Sequence, residues 1–143
     1  MNKVFLWVSS IAASLVAVAI VLQLYLIAAW VFGESDALDA HRGVGSIVWL
    51  LEIVVLIAGL VAYWRSWRQV GVSASLLVLG TVQIGFVGDL DDPGSGWAHG
   101  LHGGLAVFVF LLAVWIGCRD LPRRTQDTEI ATQMLDRKFP RVG

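Results

Sequence analysis

The chain has 143 residues, of which 57% are hydrophobic and 15% charged, with a mean hydropathy of +0.76 and a formal net charge of −1. That apolar fraction exceeds what a water-soluble domain of this length needs, and the near-neutral total leaves no electrostatic footprint for a nucleic-acid partner. A single cysteine, Cys118, rules out an intrachain disulfide and reads as a small apolar residue at a helix end.

A helix needs roughly 20 apolar residues to cross the hydrocarbon core. Residues 4–32 form the first candidate and carry no formal charge. This stretch is too long for a signal peptide and three more candidates follow, so it reads as a retained helix. The second, 41–64, is interrupted only by Arg42 at its mouth and Glu52 inside; the third, 70–88, and the fourth, 97–118, are uncharged. The short connections predict antiparallel neighbours, so the expected fold is an all-α membrane protein, an up-down-up-down bundle of four transmembrane helices. Residues 1–118 form that bundle, and 119–143 form a polar tail. Within the tail Ile130, Met134 and Leu135 share one face of a short helix against a membrane or partner, or else lie in a solvated segment.

Charge orients the bundle. Lys3, Arg65, Arg68, Arg119, Arg123 and Arg124 fall on one side; Glu34, Asp36, Asp39, Asp89, Asp91 and Asp92 fall on the other, with Arg42 as its lone strong base. The positive-inside rule then places both termini in the cytoplasm of a multi-pass cell-membrane protein. Trp30, Trp64, Trp67, Trp97 and Trp115 lie near span ends, where indole rings favour the lipid–water interface.

The two halves resemble one another. Leu22-Gln23-Leu24 is followed, after an acidic loop, by His41-Arg42-Gly43-Val44-Gly45; Val82-Gln83-Ile84 is followed by His102-Gly103-Gly104-Leu105-Ala106. Glutamine to histidine is 18 positions in one half and 19 in the other. The pattern predicts helix pairs related by an internal pseudo-two-fold axis. With Ser35 and Ser95 as helix N-caps, His41 and His102 lie at nearly equal depth toward the outer face.

Two histidines on separate helices at matching depth suit the axial positions of an iron porphyrin. His41 and His102 are therefore the expected metal ligands, with one b-type heme per chain. Gly45, Gly103 and Ala106, beside Gly43 and Gly104, leave room for a flat ring or for a neighbouring helix. Arg42 suits a heme propionate or a surface pair with Asp36 or Asp39. His99, one turn before His102, suits a propionate, an alternative ligand position or the water interface. The amides of Gln23 and Gln83 need partners inside apolar helices and either accept from a ligand imidazole or brace two helices. Glu52, three turns from His41 on the same face, is expected to be protonated or hydrogen-bonded to a neighbouring helix, with a proton relay as the functional alternative.

These residues resemble one four-helix half of the heme A synthase family. The shared features are the histidine at the outer end of the second helix, the second histidine in the fourth, and Gln83-Ile84-Gly85 in the helix between. Small four-span membrane proteins with the same paired histidines look similar too. The resemblance covers the four spans and implies heme binding. It does not extend to oxidation of a heme methyl group. The chain is a single half, has no outer-loop cysteine pair, and carries Leu38 where the family often has a catalytic glutamate. A homodimer would restore an eight-helix assembly. The expected role is bis-histidine electron transfer with a quinol or exported redox partner, and not an enzyme by itself. Heme delivery or sensing, a subunit of a larger respiratory complex, and a heme-free scaffold, small transporter or zinc or copper site are the alternatives.

Overall fold

The structure is a computed structural model, and it describes residues 2–85 and 96–121. It is all-helical: α1 (Lys3–Val31), α2 (Ala37–Ala62), α3 (Trp67–Gly85) and α4 (Gly96–Asp120). Asp89, Asp91, Asp92, the proposed cap Ser95 and the tail beyond position 121 lie outside the described residues.

Three of the four helices, α1, α2 and α4, are long and apolar enough to cross a membrane. At 29, 26 and 25 residues and ~1.5 Å per residue, each exceeds the ~30 Å hydrocarbon thickness. The 19 described residues of α3 open on Trp67-Arg68-Gln69 and include Ser73, Ser75, Thr81 and Gln83, and α3 is not among the three. Large apolar side chains face outward all along the three long helices, among them Ile11, Val18, Ile57, Phe108 and Leu111. A helix that is apolar on every side is made for a surround that is itself apolar.

α1 packs against α2 and α4, and α3 packs against the same two; neither α1 and α3 nor α2 and α4 meet through their backbones. Val16 and Ile20 of α1, Val48 and Val55 of α2, Leu76 of α3 and Val109, Ala113 and Ile116 of α4 form the core. Small residues let the helices close on one another. A Cβ on Gly59 would run into Ser73, and one on Gly80 would overlap the Glu52 carboxyl, so a side chain at Gly59 would press on Ser73 and one at Gly80 would require the Glu52 carboxyl to move.

One end of the helix assembly is tied by a buried polar knot. Asp120, whose side chain is fully buried, accepts from Ser9 Oγ at 2.6 Å and from the Tyr63 hydroxyl at 2.6 Å. Arg119 donates through Nε and Nη2 to the same carboxylate and through Nη1 to Gln69 Oε1 at 2.9 Å, while its guanidinium lies over the rings of Tyr63 and Trp115. Ser10 adds a bond to the Gly117 carbonyl. The knot therefore joins the start of α1, the residue that closes α2, the start of α3 and the end of α4. The expected boundary between bundle and tail at position 119 falls inside this knot, because α4 continues through Asp120.

One local expectation is corrected. Ser35 does not cap α2: Asp36 occupies the cap position, without a side-chain bond to the helix, and the Ser35 hydroxyl donates to Asp36. Glu52 is fully buried and neither of its oxygens has a hydrogen-bond partner, so of the two expectations for it the hydrogen bond to a neighbouring helix is not found.

Candidate functional site

At the opposite end from the knot, the structure brings His41 and His102 together across the space between α2 and α4. Both lie in the second turn of their helices. Their ring centroids are 6.1 Å apart and the planes are inclined by 63°. The two environments match. His41 Nδ1 is 3.2 Å from the backbone carbonyl oxygen of Gln23 on α1, and His102 Nδ1 is 3.2 Å from that of Gln83 on α3. A carbonyl only accepts, so each Nδ1 carries the hydrogen and donates it. That fixes the tautomer and the ring orientation and leaves the Nε2 lone pair of each imidazole free for a metal. A helix carbonyl has two lone pairs and can serve an imidazole beside its own helical partner.

The side chains of Gln23 and Gln83 thus do not hold the histidines; their backbones do. Both amides line the cavity instead, and the buried Gln23 Oε1 has no partner.

The cavity has a volume of about 370 Å³ and takes its wall from all four helices. This is within the range of small-molecule and cofactor sites. His41, His99 and His102 line it, and so does Glu52, eleven residues beyond His41 along α2. The remaining wall is apolar, with Ile20, Ile27, Val48 and Val109 prominent. Trp49 and Trp30 add aromatic surface, and the Trp49 indole donates to Thr81 at 3.1 Å.

The small residues expected to clear space do so for different reasons. Gly103 and Ala106 line the cavity, and a Cβ on Gly103 would meet nothing within 4 Å. Gly45 also lines it, but a Cβ there would come within 3.0 Å of Gln23 Nε2, so this glycine sets the approach of α1 to α2. Gly43 and Gly104 do neither; both are exposed and face open space. Arg42 forms the surface pair: its Nη1 is 3.3 Å from Asp39 Oδ1, with both side chains more than half exposed. Such a pair contributes little to stability and leaves the guanidinium free to move.

Among the described residues no group of three or more His, Cys, Asp or Glu converges on a point that would hold a metal. A bare zinc ion held by His41 and His102 would have two protein ligands, short of the four of a structural zinc site. The pair instead offers two imidazoles whose ring centroids are 6.1 Å apart in an edge-on arrangement, each with its Nδ1 engaged by a carbonyl.

Gly80 and the carbonyls of Gln23 and Gln83 were not legible as site components. A glycine in mid-helix opposite a lone acid on the neighbouring span is the one signal that could have pointed to Gly80. Comparison with known proteins finds no matching family model, no matching curated relative and no matching solved structure.

Proposed function

We propose that this chain is a multi-pass membrane protein that holds one b-type heme between His41 and His102 and carries electrons through it. The observation that supports this most is the spacing of the two imidazoles. Two metal–nitrogen bonds of roughly 2.0 Å each, with about 1.1 Å from each nitrogen to its ring centre, separate the centroids by about 6.2 Å. The 6.1 Å between the ring centroids is close to that length and supports this reading, with both Nδ1 atoms engaged by carbonyls. A porphyrin brings four nitrogens of its own and asks the protein for the remaining two, which fits the pair of histidines.

Held by His41 and His102, the group would supply an iron centre that changes oxidation state by one electron. The chain does the rest. The Gln23 and Gln83 carbonyls hold the imidazoles in one tautomer and make them better donors to the metal. Gly103 and Ala106 would leave room for the group, and Ile20, Val48 and Val109 would keep water from the inner part of the cavity. His99 lines the cavity and the exposed Arg42–Asp39 pair includes the residue next to His41, where they could meet carboxylates of the cofactor.

In the same reading α3 is the fourth span, the bundle runs up-down-up-down, and the two helix pairs are related by a pseudo-two-fold axis that exchanges the Gln23–His41 and Gln83–His102 bonds. Lys3, Arg65, Arg68 and Arg119 lie at the end opposite the histidines; by the positive-inside rule this supports cytoplasmic termini and a heme toward the outer leaflet of the cell membrane. A quinol in the bilayer is the natural electron donor at that depth. The test is to purify the chain in detergent from heme-replete cells and measure heme by pyridine hemochrome. One b-type heme per chain, with sharp bands on reduction, is expected. A colourless protein that cannot be loaded with hemin overturns the proposal.

A further inference from the structure

We propose that Glu52 takes up one proton as an electron enters the site, so that this chain couples electron transfer to proton uptake inside the membrane. The inference rests on the heme reading above. It starts from an anomaly: Glu52 is 0% exposed, and neither carboxyl oxygen has a hydrogen-bond partner, although the side chain lines the same cavity as the two histidines. A purely structural acid at this depth would be expected to find a donor, as Asp120 does with four. The missing side chain of Gly80 leaves room for the carboxyl, so the packing accommodates Glu52 and satisfies neither of its oxygens.

The electrostatics follow from the surroundings. Around Glu52 the cavity wall presents Ile20 and Gln23 from α1, Gly80 and Gln83 from α3, and Ala106 and Val109 from α4, none of which ionises. The titratable groups sharing the wall are His41, His99 and His102. To bind a metal, His41 and His102 would have to do so as neutral imidazoles. An ionised Glu52 is therefore stabilised chiefly by the positive charge of ferric iron, across a low-dielectric gap in which such interactions are weakly screened. Adding one electron cancels that charge, and a desolvated carboxylate without donors then binds a proton. In the balanced step, ferric iron, the Glu52 carboxylate and one quinol would give ferrous iron, the neutral Glu52 carboxyl and a neutral semiquinone: the quinol's electron goes to the iron and its proton, relayed through water, goes to Glu52. The unpartnered Gln23 Oε1 marks a second hydrogen-bonding position in the wall, between Glu52 and the mouth, at which a water can hand the proton on.

The test is a redox titration of the purified, heme-loaded full chain at a series of pH values. The wild type should show a midpoint potential that falls as pH rises, by up to about 59 mV for each tenfold drop in proton concentration, the limit for one proton per electron. Glu52→Gln should flatten that dependence over the same window while leaving the heme spectrum unchanged. Infrared difference spectra of the wild type alone should gain a deuterium-sensitive carboxylic C=O band on reduction, which needs no variant to fold. A coloured wild type with a flat potential and no such band overturns this inference and leaves the heme reading standing. An unchanged slope in Glu52→Gln assigns the proton to His99 or a propionate and also overturns it. A colourless chain overturns both.

Discussion

Replacing Asp120 by alanine should loosen the whole helix assembly, because this one carboxylate collects donors from α1, α4 and the residue that closes α2. Its side chain is fully buried and Arg119 is 14% exposed, so solvent cannot replace the lost partner. Removing one member of a buried pair costs about 3–5 kcal/mol. At about 1.36 kcal/mol per decade, this shifts the unfolding equilibrium by roughly two to four orders of magnitude. The assay is unfolding in mixed micelles by SDS titration, followed by the fluorescence of the seven tryptophans. Single variants Tyr63→Phe and Ser9→Ala should each lose about 1.5–3 kcal/mol, the range for a hydrogen bond to a charged group. In the Asp120→Ala background both should become nearly silent, since the acceptor is already gone. Asp120→Ala within about 0.5 kcal/mol of wild type, or full additivity with Tyr63→Phe, would refute the view that the knot holds the helices together.

Three further substitutions separate the roles assigned to the site. Gln83→Leu keeps the backbone carbonyl that receives the His102 proton, so heme content measured by pyridine hemochrome should stay within a few-fold of wild type; loss of heme would return the amide to the role of imidazole partner. Gly103→Leu places a side chain in open cavity space, so SDS unfolding should be unchanged or slightly favourable while heme binding is lost, and a fully loaded variant would show that the ring lies elsewhere. Gly80→Ala forces a methyl into the Glu52 carboxyl, for an expected loss of about 1–3 kcal/mol in the same unfolding assay. The double variant Gly80→Ala with Glu52→Ala should recover most of it, and failure to recover would place the strain in the backbone.

Much of the fold was readable because the apolar runs are long and the charges between them are sharp. The ends of α1 match the expected span to within a residue, since Lys3 and the Gly33 turn leave little choice. The pairing of His41 with His102 was readable because each follows its glutamine at nearly the same separation, and the structure makes that separation physical as a bond from ring to carbonyl. The chemistry of the bond was not readable, since a backbone carbonyl leaves no mark in the residue type above it. The Asp120 knot was equally hidden. Ser9 and Asp120 are 111 positions apart, and an acid next to Arg119 at the end of a span looks like an ordinary interfacial pair until Tyr63 and Ser9 arrive from other helices. Arg42 resolved to its local neighbour Asp39, the geometry an i, i+3 pair on a helix favours. For α3 the apolar stretch was legible but its start was not, because Trp67, Arg68 and Gln69 continue the helix into the polar knot.

The most direct test of the account is the reduced-minus-oxidised visible spectrum of the wild type beside His41→Ala, His102→Ala and His99→Ala. The wild type should give the narrow bands of six-coordinate b-type heme. His41→Ala and His102→Ala should each lose the heme or convert it to a five-coordinate form, and His99→Ala should keep the wild-type bands. An unaltered six-coordinate spectrum in either His41→Ala or His102→Ala, or bleaching confined to His99→Ala, would contradict the assignment of the facing imidazoles as the two axial ligands.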